Sequence, residues 1–428
     1  MSRTVKVGIL GCGNVGGALA RLILDHGEAI ETRTGIRIEV GAIAVRDLGR
    51  TRDVGVASEL FTTDAESVVV DPSIDIVVEV IGGMEPARSL ITSALGHGKP
   101  VITANKELLA AEGADLFKAA EAAGVDLLFE ASVCGGIPLM RPLRESLAGD
   151  RIRRVTGIVN GTTNYILTRM SEAGSSFEDA LAEAQSLGYA EADPTADVEG
   201  FDAVAKAAII ASIAFSARVV ASDVHREGIT GVTAQDIQSA RDLGYVIKLL
   251  ATAEEVDGEV SVRVNPAMIP VDHPLAAVRG AFNAVFIEGD AVGQVMLYGP
   301  GAGGMPTASA VLGDLIDAAK NLAGGRGAAI GRLSERRIRP LDEMKSQFYL
   351  LVEVMDQPGV LAAIAGVFGA NGVSIKSMRQ QGIGDEARLI FVTHQALERD
   401  FEATIKGVRE LADVHRVGSI LRVAGEEA

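Results

Sequence analysis

Val5–Gly16, VKVGILGCGNVG, is the stretch of sequence that decides the fold of this chain. A run of aliphatic residues that predicts a strand leads directly into a G-x-G-x-x-G pattern, and Ala/Leu-rich sequence typical of a helix follows. Gly11 permits a tight turn, Gly13 lets the backbone approach a pyrophosphate, and Gly16 allows close packing of helix against strand. The free N–H groups at the helix start then attract phosphate. The stretch predicts a dinucleotide-binding βαβ unit, in preference to a purely structural glycine turn.

Outward from this unit, the first 135 residues alternate strand and helix patterns. The predicted strands are Val5–Leu10, Ile36–Val45, Ile76–Ile81, Val101–Thr103 and Val125–Glu130. The predicted helices are Ala18–Leu24, Pro86–Gly96 and Glu107–Ala123. Such alternation favours parallel strands, and their nearly continuous apolar character is typical of a sheet covered on both faces. The predicted fold class is α/β, with a Rossmann-type doubly wound parallel sheet.

The rest of the chain predicts two further domains. Long helices (Ser176–Leu187, Asp202–Ala214) and antiparallel strands indicate an α+β domain over 135–298. The glycine-rich turn of Gly299–Ala318 leads into a helix, so about 299–320 should complete the dinucleotide-binding domain of 1–134. Residues 321–345 are predicted to be a linker. Over 346–428 the pattern β-α-β-β-α-β predicts a ferredoxin-like module, with elements at Gln347–Glu353, Gly359–Gly369, Val373–Met378, Ala387–Thr393, Glu398–Leu411 and Val414–Val423.

Composition excludes several classes of protein. With 428 residues, a prior of roughly 150 residues per domain favours about three domains. Forty Lys and Arg against 57 Asp and Glu leave a net charge of −17, which would repel both nucleic acid and anionic membranes. Two cysteines cannot build a disulfide framework. We identify no apolar leader in the sequence, and no apolar run is long enough to span a bilayer. The cytoplasm is therefore the expected location.

The segment Leu187–Lys206, LGYAEADPTADVEGFDAVAK, is dense in carboxylates. Five acidic residues lie within the twelve of Glu191–Asp202, and such a patch would attract a cation or an ammonium group. Asp202 and Lys206 are spaced i, i+4 and so share one face of a predicted helix. The carboxylates favour the cationic, proton-donating form of Lys206. The alternative, a solvated acidic loop with an ordinary helix salt bridge, stays open from this stretch alone.

A second lysine follows a predicted strand. In TANKELLA, which begins at Thr103, Lys106 lies just beyond the carboxyl end of Val101–Thr103, where ligands bind in open parallel sheets. A lysine at a helix N-terminus opposes the helix dipole. This mismatch favours a role in binding cofactor or substrate over a plain surface lysine.

Taken in order, these motifs resemble the homoserine dehydrogenase family. Besides the glycine pattern and TANKELLA they are FEASVCGGIP from Phe129, GIVNGTTNYIL from Gly157, LGYAEADPTADVEGFDA from Leu187 and GPGAGGMPTA from Gly299. The resemblance implies reversible, NAD(P)-dependent interconversion of L-homoserine and L-aspartate 4-semialdehyde in threonine, methionine and isoleucine biosynthesis. It also implies that the α+β domain of 135–298 is the substrate and dimerisation domain, in a homodimer or homotetramer.

The resemblance assigns roles to individual residues. Lys206 matches the proton-donor lysine, and Lys106 matches the lysine beside nicotinamide and substrate. Glu191 and Asp202 match carboxylates that contact the substrate, and Asp197 lies in the same substrate-binding loop. Asp202 is also expected to be catalytic, together with the two lysines. The expected cofactor-binding positions are Gly11, Gly13, Asn14, Val15, Gly16, Arg46, Thr103, Lys106, Gly188 and Gly303. Arg46 favours NADP(H), because an arginine can hold a 2′-phosphate, whereas Asp47 beside it keeps NAD(H) as the alternative.

The FEASVCGGIP motif resembles the alkali-metal loop of the family. It implies that Glu130 and the carbonyls of Val133, Gly135 and Ile137 bind Na⁺ or K⁺, whereas the alternative is a glycine hinge between domains. Cys134 in the same motif raises another enzyme class, an acylating aldehyde dehydrogenase with a thiol nucleophile. That chemistry needs a base beside the thiol, and no histidine lies near Cys134 in sequence.

The segment Phe348–Leu361 resembles the opening of an ACT domain. The resemblance implies an effector site at Asp356, Gly359, Val360 and Asn371, L-threonine as feedback inhibitor, and side-by-side pairing of these domains between subunits. Two alternatives are a dimerisation module without a ligand, and a ligand-responsive binding protein whose dinucleotide site senses redox state. Lys106 and Lys206 argue against the second of these.

Overall fold

The computed structural model describes residues 3–325, 333–382 and 387–425. The chain divides into two compact units. Unit 1 comprises Met1–Val155, Ala205–Asp223 and Phe282–Arg336, and unit 2 comprises Thr156–Val204, Val224–Ala281 and Arg337–Ala428. Within the described ranges, no helix has the length and apolar character needed to cross a lipid bilayer.

The strands are β1 Arg3–Leu10, β2 Ile36–Ala44, β3 Phe61–Thr62, β4 Ile76–Glu79, β5 Val101–Thr103, β6 Leu127–Leu128, β7 Ile152–Ile158, β8 His225–Arg226, β9 Tyr245–Val256, β10 Glu259–Pro270, β11 Phe282–Gly289, β12 Gly293–Pro300, β13 Lys345–Val354, β14 Ile375–Gln381, β15 Ala387–Thr393, β16 Ala396–Leu397 and β17 Val414–Val423. The α-helices are α1 Asn14–Thr34, α2 Ala65–Val70, α3 Ala87–Gly96, α4 Lys106–Ala123, α5 Gly161–Ala173, α6 Phe177–Ser186, α7 Thr195–Val198, α8 Phe201–Ala214, α9 Ala234–Asp242, α10 Gly304–Gly324, α11 Val360–Ala370 and α12 Glu398–Arg409.

Unit 1 contains a six-stranded parallel sheet in the order β3-β2-β1-β4-β5-β6. The chain runs outward from β1 in one direction and then returns to its other side through β4, which is the Rossmann arrangement. Ile9 and Ile43 of the sheet share one apolar core with Leu19 of α1 and Leu315 of α10. The predicted α/β fold with a doubly wound sheet is therefore confirmed, and α10 packs with the sheet as the returning segment.

Helix α1 is longer than predicted. The sequence predicts a helix over Ala18–Leu24, whereas α1 continues to Thr34 and ends at Gly35, whose φ is 72°. The Gly35 N–H donates to the carbonyl of Glu31, as in a left-handed helix cap. The interval between the glycine turn and Arg46 therefore contains the second half of this helix. The predicted strand Val125–Glu130 is shorter in the structure, where only Leu127–Leu128 form β6, because a 3₁₀ helix begins at Glu130.

Unit 2 is built on antiparallel pairs. Strands β9 and β10 pair along their whole length through the two-residue turn Asp257-Gly258. Both turn residues have positive φ, 56° and 80°, as tight hairpin turns of this type require. Strand β10 also pairs with β17 in parallel. From β17 the sheet continues through antiparallel pairs in the order β17-β13-β15-β14.

The last four of these strands carry the C-terminal module, in which β-α-β-β-α-β is confirmed. Alternate residues of β13, such as Phe348 and Leu350, face the same core as Phe368 of α11 and Phe401 of α12. The rings of Phe348 and Phe401 stack with centroids 3.7 Å apart. The two helices therefore cover one face of the sheet, as the ferredoxin-like arrangement requires.

The end of the predicted linker is bound to unit 2. Val260 exchanges backbone hydrogen bonds with Arg337 and Arg339 at 3.1 and 2.8 Å. Both arginines also form ion pairs with Glu259. Helix α10 extends to Gly324, and residues 326–332 of the predicted linker lie outside the described residues.

Candidate active site

The glycine turn between β1 and α1 uses its three glycines differently. A Cβ on Gly16 would lie 2.1 Å from the carbonyl oxygen of Gly11, and a Cβ on Gly11 would lie 2.9 Å from that of Val80. Gly11 also has a φ of +102°. A Cβ on Gly13, by contrast, would meet no described atom within 4 Å. Gly11 and Gly16 are thus required by packing, while Gly13 leaves open space in front of the α1 N-terminus, as a pyrophosphate needs.

The returning segment meets this turn. A Cβ on Gly304 would lie 2.9 Å from the carbonyl oxygen of Asn14, and Gly303 has a φ of +120°. A Cβ on Gly301 would overlap the side chain of Asn283 at 2.1 Å. The Gly-rich turn before α10 is therefore needed for close backbone approach within unit 1, and it brings Gly303 beside the start of α1.

Basic side chains follow the carboxyl end of β2. The carboxylate of Asp47 accepts the N–H of Gly49 at 2.8 Å, and Arg52 donates to the carbonyls of Asp47 and Arg50. Asp47 thus orders its own turn, whereas Arg46 and Arg50 are exposed. The carboxyl end of β2 is therefore followed by exposed guanidinium groups and by a carboxylate that bonds within its own turn.

Lys106 is held at the carboxyl edge of the parallel sheet. Thr103, at the end of β5, donates to the carboxylate of Glu79 at the end of β4, and its hydroxyl accepts the N–H of Asn105. Asn105 caps α4 by accepting the N–H of Leu108 at 3.1 Å. Lys106 is the first residue of that helix. Sequence reasoning missed Glu79, although a glutamate that closes an otherwise apolar strand is an unusual pattern.

Glu191–Asp202 of unit 2 is called the acidic segment below, and two of its five carboxylates lie close together. One amide nitrogen, Nδ2 of Asn160, donates to Asp197 at 2.7 Å and to Asp202 at 2.8 Å. Glu191 is exposed and is not brought into this cluster. Asp193 accepts the N–H of Thr195 at the start of α7, and its hydrogen bonds with Thr195 hold its pKa below the ordinary value.

Helix α8 carries both Asp202 and Lys206, one turn apart. Each residue is only 8% exposed, so the solvated-loop alternative fails for these two. Sequence reasoning missed the residue that anchors the helix start. The guanidinium carbon of Arg226 lies 3.7 Å from the ring centroid of Phe201, and Arg226 also donates to the carbonyl of Glu199.

Comparison with known proteins identifies the family. Family models match homoserine dehydrogenase over 138–316, its NAD-binding domain over 11–130 and the ACT domain over 348–413. Homoserine dehydrogenase of Mycobacterium tuberculosis is 50% identical over 99% of this chain and 98% of the relative.

The chain belongs to the homoserine dehydrogenase family. It is thus an NAD(P)-linked oxidoreductase that acts on a CH–OH group, with a C-terminal ACT domain. The crystal structure of a Thiobacillus denitrificans homoserine dehydrogenase is similar with a TM-score of 0.94 and 41% identity, covering 99% of this chain and 98% of that one. A hyperthermophilic archaeal homoserine dehydrogenase in complex with NADPH is similar with a TM-score of 0.63 and 32% identity, covering 74% of this chain and 97% of that one.

In this family member, the predicted alkali-metal loop holds Glu130 in an anion cradle. The Glu130 carboxylate accepts the backbone N–H groups of Leu139, Met140 and Arg141. Its own N–H donates to Asp314 at 2.7 Å, and burial raises the pKa of Asp314 to about 7. These hydrogen bonds fix the orientation of the Glu130 carboxylate, as such bonds commonly do for carboxylates that bind a cation. Among the described residues, no three His, Cys, Asp or Glu side chains form a metal-sized cluster.

Cys134 lies in the same loop. Its side chain is fully buried, and its φ is 56°, which is rare for a residue with a Cβ. A nucleophilic thiol must reach the substrate carbonyl. Full burial therefore counts against the acylating aldehyde dehydrogenase alternative.

The predicted effector residues of the ACT domain divide between the two ends of α11. Gly359, with a φ of 99°, precedes the helix, and Val360 is its first residue. The carboxylate of Asp356 accepts a hydrogen bond from Gln380 of β14 at 3.0 Å. Asn371 instead follows the last residue of α11, roughly 16 Å away at the usual helical rise. A single protomer therefore brings three of the four residues together.

Proposed function

We propose that this enzyme interconverts L-homoserine and L-aspartate 4-semialdehyde with NADP(H) in threonine, methionine and isoleucine biosynthesis. The observation that carries the proposal is the buried pair on α8. Asp202 presents a carboxylate for an α-ammonium group, and Lys206, one turn later, presents an amine for the reacting oxygen. An amino acid with a terminal hydroxyl or aldehyde group needs both.

Lys206 moves the proton in this scheme. The chemistry supplied by the bound nicotinamide is hydride transfer to or from the carbon that carries the hydroxyl group. In the direction of reduction, negative charge grows on the aldehyde oxygen, and the Lys206 ammonium stabilises and protonates it. In the direction of oxidation, the neutral amine of Lys206 takes the hydroxyl proton as the hydride leaves carbon. Lys106 supplies a second cation beside the reacting oxygen and the nicotinamide.

The carboxylates bind rather than react. Asp202 and Glu191 are proposed to hold the substrate ammonium, and Asp197 supports Asp202 through their shared amide donor. Gly188, with a φ of 76°, is proposed to contact the cofactor from the turn before Glu191.

Replacement of the proton donor tests the proposal. Lys206→Ala should lower turnover of homoserine by about 10²- to 10⁴-fold while NADPH affinity, measured by fluorescence titration, stays within twofold. Lys118→Ala is the matched control, because Lys118 is 74% exposed on α4. Turnover near that of the control would exclude Lys206 as the proton donor.

NADP(H) is the proposed cofactor, with NAD(H) as the weaker alternative. Support comes from the exposed Arg46 and Arg50 and from the use of Asp47 in its own turn. The KM for NADPH should be lower than that for NADH, and Arg46→Ala should raise the first without changing the second. A lower KM for NADH in the wild type would contradict this preference.

An alkali ion is proposed at Glu130 and the carbonyls of Val133, Gly135 and Ile137, because hard cations take oxygen ligands. Titration of Na⁺ and K⁺ into ion-depleted enzyme, followed by thermal melting, tests it. An unchanged melting temperature would remove the ion from the proposal.

Threonine is proposed as the effector of the ACT domain, within a homodimer or homotetramer. The grouping of Asp356, Gly359 and Val360 at one end of α11 supports a ligand site there. Asp356→Ala should raise the threonine concentration needed for half-inhibition at least fivefold, with uninhibited turnover unchanged. A cytoplasmic location is proposed as well, since Cys12 and Cys134 are thiols that form no disulfide, and cell fractionation would test it.

A further inference from the structure

Asn160 occupies a junction between helix α5 and the acidic segment. Its side chain is 5% exposed. The amide oxygen accepts the N–H of Thr163 at 2.9 Å and so caps α5. This bond fixes the orientation of the amide group, because the oxygen must face the helix and the nitrogen must face away from it.

Both N–H groups of that amide are directed at carboxylates. Nδ2 donates to Oδ1 of Asp197 at 2.7 Å and to Oδ2 of Asp202 at 2.8 Å. Two carboxylates this close repel each other, and a shared donor reduces the repulsion. Because the amide is neutral, it does not cancel the negative charge that an ammonium ligand would meet. A lysine or arginine at this position would cancel part of that charge.

The next residues of α5 hold the other end of the acidic segment. The hydroxyl of Thr162 donates to the carbonyl of Tyr189 at 2.6 Å. Thr163 anchors the Asn160 amide through both its N–H and its hydroxyl. The first turn of α5 therefore fixes the acidic segment near Gly188 and again at Asp197 and Asp202.

We propose that Asn160 is a positioning residue that sets the affinity for the α-ammonium group of the substrate. This inference rests on the proposed function, which assigns that group to Asp202. Asn160 orients the Asp202 carboxylate through this hydrogen bond, without touching the reacting carbon or the cofactor. It therefore determines the KM for homoserine, and it favours homoserine over a hydroxy acid that lacks the ammonium group.

Two variants keep the cap of α5 and remove the paired donor. Asn160→Ser retains an oxygen for the Thr163 N–H, and Asn160→Asp retains the shape while placing a third carboxylate beside the other two. We expect homoserine KM to rise about tenfold in Asn160→Ser, with kcat and the KM for NADP⁺ within twofold of the wild type. In Asn160→Asp the increase in homoserine KM should become larger with rising pH, because the introduced carboxyl group can donate a hydrogen bond only while it is protonated.

Substrate preference gives a readout that loss of folding would not mimic. The ratio of kcat/KM for homoserine to that for 4-hydroxybutanoate should fall about tenfold in Asn160→Ser. Ser176→Ala is the matched control, since Ser176 caps α6 through the N–H of Asp179 at 3.0 Å. It should lower the melting temperature and leave that ratio unchanged.

The outcomes separate the two proposals. A wild-type enzyme that does not oxidise homoserine would overturn the proposed function. An active wild type whose homoserine KM and substrate ratio are unchanged in both Asn160 variants would overturn the role of Asn160 alone. The same holds if Ser176→Ala changes the ratio as much as Asn160→Ser does.

Discussion

The glycine turn after β1 and the acidic segment before α8 build their sites in opposite ways. At the turn, a Cβ on Gly16 would overlap the carbonyl oxygen of Gly11, five residues earlier, and Gly11 itself has a φ of +102°, so each glycine is required for a reason that lies within the turn. In the acidic segment, the donor that holds Asp202 lies 42 residues earlier in the chain, and the donor to Glu199 lies 27 residues later. A site made of backbone can be predicted from a short pattern, whereas a site made of side chains depends on distant partners.

The largest effect is expected at the turn, where Gly16→Ala should break the local site. Its Cβ would overlap the Gly11 carbonyl oxygen, which is backbone and cannot swing aside. NADPH affinity should fall at least about 100-fold, or the protein should fail to fold. Fluorescence titration and thermal melting would measure this.

Gly13→Ala is the contrasting variant at the same turn. A Cβ there meets open space, so the melting temperature should stay within about 2 °C of the wild type. The methyl group would enter the space needed by the pyrophosphate, and NADPH affinity should fall about tenfold. If both glycine variants lost stability equally, the distinction between packing and ligand space would be wrong.

A smaller effect is expected where the acidic segment is anchored from a distance. Arg226→Gln removes the cation over the Phe201 ring and shortens the donor to Glu199. The start of α8 should loosen, and homoserine KM should rise about three- to fivefold, while NADP⁺ KM is unchanged. Arg279→Gln, whose side chain is 72% exposed, is the control. A change in NADP⁺ KM alone would contradict a role in the acidic segment.

The smallest effect is expected at Glu227, next to Arg226. Burial raises its pKa, but the His225 hydrogen bond and the Arg422 charge outweigh this and lower the pKa to about 2. Because the folded pKa lies below the unfolded value of 4.5, this carboxylate stabilises the fold above pH 4.5 and loses that contribution as the pH falls towards 2. Glu227 is 41% exposed, so Glu227→Gln should cost about 1 kcal/mol at pH 7.

Chemical denaturation at pH 7 and near pH 3 would measure the free energy of unfolding of the wild type and of Glu227→Gln. The difference in the free energy of unfolding between wild type and Glu227→Gln should be smaller near pH 3, because the Glu227 carboxyl is then protonated in the unfolded chain and must lose that proton when the protein folds. Glu59→Gln, an exposed substitution in unit 1, serves as the reference for general acid effects. If this difference in the free energy of unfolding stayed constant with pH, the ionised Glu227–Arg422 pair would be excluded as its cause.

The same distinction explains which predictions the structure confirms. The strands β1 and β5, the doubly wound sheet and the element order of the ACT domain follow from patterns a few residues long. The predicted α1 is too short, because most residues after Leu24 are polar and exposed and Ile30 is the one buried aliphatic residue among them. The short strand β3 and helix α2 were missed, since elements of two and six residues carry little periodicity.

The site shows the limit more sharply. Lys206 and Asp202 could be placed on one helix face from their spacing, and the position of Lys106 after β5 from the strand pattern. Nothing local indicated that Asn160 would bond both Asp197 and Asp202, or that Glu130 would accept three N–H groups. Asn371 could be assigned to the effector site by resemblance, but α11 separates it from Asp356.

What the sequence determined by itself is therefore the backbone frame: the glycine turn, the alternation of elements and the order of motifs that identifies the family. These depend on local sterics and on periodic burial, which act between neighbours in the chain. Only the tertiary structure decided which of the five carboxylates of the acidic segment come together and which charges are satisfied. The physical reason is that a buried charge is set by the donors that surround it, and those donors come from residues far away in the chain.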